Sequence, residues 1–170
     1  MLKTMVKKGV AVMLSLALLC SLASCSERHP ANKAKKEAVG IFEAIKNHDT
    51  KKLNKMFTED VRDTHDLDAE WEAFYDSIDG NIVSYGSITS GGEEVYYDYG
   101  QVTYSMIVIN INDVKTDTGM VYESLSYCQT RVDKKHPERE GIGIFSLLKR
   151  FDDDAGYKES LVGEVIIYYD

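Results

Sequence analysis

The chain of 170 residues carries 28 Asp and Glu against 20 Lys and Arg, a net charge of −8, and 44% of it is hydrophobic. An acidic chain of this length suits one ordinary domain, and it excludes binding driven by a basic surface, so nucleic acid is not an expected partner. Three cysteines, Cys20, Cys25 and Cys128, are too few for a disulfide scaffold.

Residues 1–9 hold Lys3, Lys7 and Lys8 and no acid, and residues 10–22 are an apolar run of 13 broken only by Ser15 and Ser21. That length fits the core of an export signal, roughly 7–15 residues, and falls short of the ~20 a helix needs to span a bilayer. The run ends in Leu22-Ala23-Ser24-Cys25, which resembles the lipobox of bacterial lipoprotein precursors. The resemblance implies a signal peptide at 1–24, cleavage between Ser24 and Cys25, and lipidation of the Cys25 sulfur. It also implies a lipid-anchored protein on the extracellular side of the cell membrane. Two acyl chains anchor stably, whereas one is marginal at ~0.8 kcal/mol per buried methylene.

The expected mature chain keeps 17 bases against 28 acids, and only Cys128 besides the anchor, so no intrachain disulfide can form in it. Cys128 lies in an alternating apolar stretch and reads as a core residue rather than a nucleophile. Residues 25–36 form the lipidated cysteine and a basic tether, with Arg28, Lys33, Lys35 and Lys36 against Glu27. Extended, such a tether reaches roughly 35 Å. The acidic remainder, 37–170, is read as one domain.

Ala34, Ala38, Ile41, Phe42 and Ile45 recur at helical spacing and predict a helix over 33–46. Asn47-His48-Asp49 interrupts it, and Thr50 is positioned to cap a short second helix that buries Leu53, Met56 and Phe57. A third helix is expected over 66–78, with Leu67, Trp71, Phe74, Tyr75 and Ile78 on one stripe and acids opposite. Asp79-Gly80-Asn81 closes it.

Beyond Gly80 the period becomes two. Strands are expected at 82–88, 95–112, 119–132, 142–149 and 165–169, with turns at Ser90-Gly91-Gly92, Asp117-Thr118-Gly119 and Lys134-Lys135-His136-Pro137. Gly100 reads as a bulge inside the second strand, and the run Met106-Ile107-Val108-Ile109 as buried on both faces. Helices followed by a strand meander make an α+β pattern.

The segments 41–49 and 53–57, the helix ending in 74–80, and Gly141-Ile142-Gly143-Ile144-Phe145 together resemble a family of uncharacterised lipoproteins of Gram-positive bacteria. The resemblance covers about 37–150. It implies a nuclear transport factor 2-like, or cystatin-like, fold in which N-terminal helices pack on a curved antiparallel sheet that forms a cone. It supplies no catalytic residues.

No constellation carries a recognisable chemistry. Asp66, Asp68 and Glu70 suggest a calcium loop, but its sixth and twelfth positions are Trp71 and Ser77 instead of Gly and Glu. His29, His48, His65 and His136 lack zinc spacing, so no metal and no cofactor is expected. The 11 tyrosines are the unusual feature. If the cone is open, Trp71, Tyr75, Tyr85, Tyr104 and Tyr122 are its candidate lining.

The leading expectation is a non-enzymatic domain that binds a small molecule or an envelope protein. The alternative is a cone-fold isomerase or dehydratase using Asp98 or His65 as base and Tyr85 or Tyr104 as donor. Pairing of two copies through the sheet is a third possibility.

Overall fold

The computed structural model describes residues 30–149 and 161–165. The signal segment, Cys25 and the end of the fifth expected strand (166–169) lie outside them. The chain divides into two compact units, Met1–Lys36 and Glu37–Asp170. Among the described residues, no helix is long and apolar enough to cross a membrane.

The first helix, α1, spans Pro30–Lys46 and starts three residues earlier than the apolar spacing predicts. Proline is preorganised for a first helical turn, and Ala and Lys are strong helix formers. Residues 30–36 of the expected tether are therefore helical, and the extended reach does not apply to them. Within the second unit α1 buries Ala38, Ile41, Phe42, Ala44 and Ile45.

Three shorter helices follow, each capped by the residue before it. In α2 (Thr50–Asn54) the cap is Asp49 rather than Thr50, its carboxylate accepting from the Lys52 amide at 3.1 Å. In α3 (Glu59–Thr64), Thr58 accepts from the Val61 amide at 3.3 Å. Six residues with Val61 as their one buried side chain give no readable period, so this helix is invisible in the sequence pattern. In α4 (Leu67–Asp76), Asp66 caps the Ala69 amide at 3.2 Å, and the expected stripe of Leu67, Trp71 and Phe74 is buried.

Six antiparallel strands form one curled sheet: β1 Ile82–Ser84, β2 Ser87–Asp98, β3 Gln101–Thr116, β4 Val121–Asp133, β5 Gly141–Leu148 and β6 Leu161–Val165. The order is β1-β3-β4-β5-β6, with β2 also paired to β3. The chain is thus α+β, helices first and sheet second.

Two expectations about the turns are corrected. Ser90-Gly91-Gly92 lies inside β2 as a register shift against β3, while Gly100 forms the hairpin turn between β2 and β3. Tyr99 and Gly100 both take positive φ, 45° and 77°, as a two-residue hairpin turn of this hand demands. A tyrosine in the position usually held by Asn or Asp conceals that turn.

Three rungs on the helix-facing side organise the core. Ile111, Leu125 and Leu147 form one; Ile109, Tyr127 and Phe145 the next; Ile107, Gln129 and Ile142 the third. Within the run Met106-Ile107-Val108-Ile109 of β3, Ile107 and Ile109 are buried whereas Met106 and Val108 are half-buried, so the expected two-sided burial is largely one-sided.

Two glycines bring helical segments close to this sheet. At Gly141, φ is 134° and a Cβ would lie 2.8 Å from the Thr58 nitrogen and 2.9 Å from the Met56 oxygen. The bare backbone lets the link between α2 and α3 bond to β5: the Thr58 amide donates to the Ile142 carbonyl at 3.1 Å, and the Ile142 amide to the Met56 carbonyl at 2.8 Å. Gly163 on β6 similarly leaves room for Ser77 and for the Phe74 ring, 3.3 Å from where a Cβ would stand.

Candidate functional site

Where α4 meets the sheet, aromatic rings fill the space. Trp71 lies 5.4 Å from both Phe74 and Phe145 and 6.1 Å from Phe57, measured between ring centroids. Phe145 also meets Phe57 and Tyr127, each at 5.5 Å. Where α1 and α2 face the third rung, the side chains are smaller and looser, and a cavity remains.

That cavity has a volume of about 270 Å³ and is lined by Glu37, Gly40 and Ile41 of α1, Lys52 of α2, Met56, Gln129 of β4 and Ile142 of β5. It sits near the lower end of the ~300–1,000 Å³ typical of small-ligand pockets. Gly40 adds no side chain to this wall, and a Cβ built there meets nothing within 4 Å. A glycine inside a helix costs about 1 kcal/mol relative to alanine, so the open space comes at the expense of local helix stability.

The polar groups around the cavity are unevenly satisfied. Lys52 Nζ donates across the rim to the Gly40 carbonyl at 3.2 Å. Arg131 Nη2 pairs with Glu37 Oε2 at 3.1 Å, tying β4 to α1. By contrast Gln129 Oε1 is buried without a hydrogen-bond partner, and so is the hydroxyl of Tyr127, two residues away on the same face of β4. Burial pushes the Tyr127 phenol well above its usual range; the Glu37 carboxylate raises it further and Arg131 opposes that. Tyr127 is therefore a neutral hydroxyl at any physiological pH. A buried polar atom with no partner is uncommon in a folded protein and costs about 1–3 kcal/mol.

The aromatic residues singled out in the sequence stand elsewhere. Trp71 is fully buried and donates through Nε1 to Asn54 Oδ1 at 3.0 Å. Tyr75 stacks on Trp71 at 5.8 Å and on His48 at 3.8 Å, and its hydroxyl donates to the Ile45 carbonyl at 3.1 Å. Burial, with Asp49 nearby, raises the Tyr75 phenol as well. Tyr85 lies edge-on to Phe42 at 4.6 Å, and Tyr122 is buried, its hydroxyl accepting from the Asp79 amide at 2.8 Å. Tyr104 stacks on Tyr96 at 5.5 Å along the β2–β3 hairpin.

The structure brings Trp71 and Tyr75 together, but none of the five lines the cavity. Large rings are space-fillers here, and the cavity persists where they are absent.

The candidate bases are equally remote. His65 Nδ1 pairs with Glu70 Oε1 at 2.6 Å between α3 and α4, and Asp98 ends β2 beside the exposed hairpin turn. Among the described residues no Asp or His borders the cavity, and the one acid that does, Glu37, is held by Arg131. Among the described residues, no group of three or more His, Cys, Asp or Glu is placed to hold a metal. Cys128 is half-buried on the opposite face of β4 from Tyr127 and Gln129, and burial raises its thiol pKa, which suits packing rather than nucleophilic attack.

The residues sequence reasoning missed are Gly40, Gln129 and the Glu37–Arg131 pair. Gly40 carried a readable signal, a glycine in the middle of a helical period. The other two depend on which β4 residues face α1.

Fold and site together define a domain of helices layered on a curled antiparallel sheet, with a small, mostly apolar cavity between the layers. Residues 40–150 match the family described as a domain of unknown function, DUF5104, and the chain belongs to that family. The match runs from the cavity wall at Gly40 to just past the end of β5. Among curated proteins, none matches the chain.

Proposed function

We propose that this is a lipoprotein anchored through Cys25 to the outer face of the cell membrane, whose domain binds a small, largely apolar molecule without turning it over. The helices over the curled sheet are read here as a cone of the nuclear transport factor 2-like, or cystatin-like, kind. Support for the anchor comes from the three bases, the apolar run and the Leu22-Ala23-Ser24-Cys25 stretch. The binding reading rests on one observation: a cavity of about 270 Å³ with mostly apolar walls, one of them a helical glycine.

Both halves are open to test in the producing cell. With an alkyne fatty acid in the medium, the chain takes up label, and Cys25→Ala abolishes it. Native mass spectrometry of the extracted protein shows an adduct of small-molecule mass that disappears in Gly40→Trp, whose indole occupies the cavity. An unlabelled wild-type chain rejects the anchor. A wild-type chain that carries no adduct and is not stabilised by a metabolite extract rejects the binding.

A further inference from the structure

We infer that the tip of the β2–β3 hairpin is a membrane contact, where the rings of Tyr97 and Tyr99 lie among the headgroups of the bilayer that holds Cys25; this rests on the anchor reading above.

Among the described residues, exposed apolar side chains gather at both ends of the sheet. Val83, Met120 and Val121 stand about the β3–β4 turn, and Tyr96, Tyr97 and Tyr99 at the β2–β3 hairpin. The hairpin carries a cost that the other end does not. Tyr99 takes a φ of 45°, left-handed backbone that Gly, Asn or Asp adopts more easily. Its side chain is 101% exposed, so no packing within the chain offsets that strain. Tyr97, two residues before it, is 66% exposed. A phenol ring has an apolar body and a polar tip, which suits the headgroup layer of a membrane.

The length of the tether decides which end of the sheet meets the bilayer. The folded unit begins at Glu37, whose carboxylate holds Arg131 of β4. Glu37 lies twelve positions after Cys25, and with residues 30–36 helical that stretch spans at most roughly 30 Å. Arg131 falls between the cross-strand pairs Ser105–Val132 and Met106–Thr130. At ~3.3 Å per residue the turn at Tyr99 and Gly100 therefore stands roughly 17 Å beyond the level of Arg131. Val121 lies ten residues from Arg131 in the opposite direction along β4, roughly 33 Å away. The tether reaches the hairpin tip with length to spare, and the β3–β4 turn only at its limit.

Charge does not oppose the contact, although the domain is acidic. The exposed Lys134 and Lys135 lie beside the tip, the Lys134 amide donating to the Thr103 carbonyl and its Nζ to Gln101 Oε1, each at 3.0 Å. They offset Asp98 and Asp133. Rings rather than charge make the contact, so zwitterionic lipid suffices.

The full lipidated chain is placed in phosphatidylcholine nanodiscs with and without a nitroxide-bearing lipid, and its amide resonances are compared. The nitroxide is expected to remove most of the Tyr97, Tyr99 and Gln101 signals and to leave those of Met120 and Val121 unchanged. In Tyr97→Ser/Tyr99→Asn, where Asn suits the left-handed turn, the Gln101 signal returns while the chain stays on the disc.

Tip signals that survive the nitroxide in a lipidated, disc-bound wild-type chain overturn the inference and leave the anchor standing. Equal loss at Met120 and Val121 also overturns it, as does a Gln101 loss that the double variant keeps. Broadening of the tip in discs without nitroxide, growing with the number of chains per disc, assigns the tip to a second copy instead. A chain that carries no lipid removes the anchor reading and the inference with it. The wild-type comparison needs no variant, so the inference stays testable even if the double variant does not fold.

Discussion

One sheet supports two unlike layers. Beneath α4 the rings of Trp71, Phe74 and Phe145 meet one another, and the indole is paired with Asn54 and Asn54 in turn with Asp68. Beside α1 the wall includes a glycine and a half-buried methionine, and a cavity remains. The α4 half resembles a finished core. The α1 half is less completely filled, with helix propensity given up at Gly40.

The sharpest way to break this contrast is truncation on each side. Trp71→Ala removes the ring that Phe57, Phe74, Tyr75 and Phe145 all meet and strips Asn54 Oδ1 of its donor. Its cost is expected at about 3–5 kcal/mol, typical of a fully buried Trp or Phe cut to alanine. Met56→Ala, beside a space already empty, is expected to cost only about 1 kcal/mol, because few packed atoms lose contact. Urea unfolding followed by circular dichroism measures both. Equal losses would mean that the α1 half is packed as tightly as the other.

The same contrast explains what could be read from the sequence. The α4 stripe was legible because rings at helical spacing announce burial, and the order of helices before strands was enough for the α+β class. The aromatics expected to line a pocket, Trp71, Tyr75, Tyr85, Tyr104 and Tyr122, do not border the cavity beside α1, whose apolar walls are Gly40, Ile41, Met56 and Ile142. Gln129 was illegible for a different reason: alternation puts it on the face of Leu125 and Tyr127, but which face of β4 meets α1 is set by strand register, which the local sequence does not give. The β2–β3 hairpin was missed because Asp98-Tyr99-Gly100-Gln101 puts an aromatic residue in left-handed backbone, a cost the surrounding ladder bears rather than one the local sequence advertises.

Gly40→Ala offers a gentler probe of the open half. Alanine adds a methyl where nothing lies within 4 Å, and it recovers helix propensity, so the variant is expected to be more stable than wild type by roughly 0.5–1 kcal/mol. Thermal unfolding of the two proteins side by side gives the answer. A loss of stability would show that the space over Gly40 is needed by neighbouring side chains and is not a vacancy.

The smallest expected effect concerns the polar clasp that closes the α4 half. Asp117, in the turn between β3 and β4, accepts from the Asn81 amide at 2.8 Å and from Asn81 Nδ2 at 2.9 Å, while Thr118 donates to the Asp79 carbonyl at 3.0 Å. These bonds hold the Asp117 carboxyl below its usual pKa, the side-chain bond from Asn81 being the largest cause and its backbone amide the next. A carboxyl whose folded pKa is depressed adds stability that is fully present above its unfolded pKa of about 3.9. That contribution is lost as pH falls through the lower folded value. Asp117→Asn keeps one acceptor oxygen but sets an NH₂ against Asn81 Nδ2, so the variant is the less stable protein at neutral pH. The gap is expected to close progressively as pH drops below about 4, where the wild-type group takes up its proton. Unfolding midpoints for both proteins between pH 7 and pH 2 test this, because taking the difference cancels every carboxylate the two share. A gap that stays constant over the whole range would show that Asp117 acts through shape alone, and that the clasp differs from the unpaired row on β4 in geometry but not in charge.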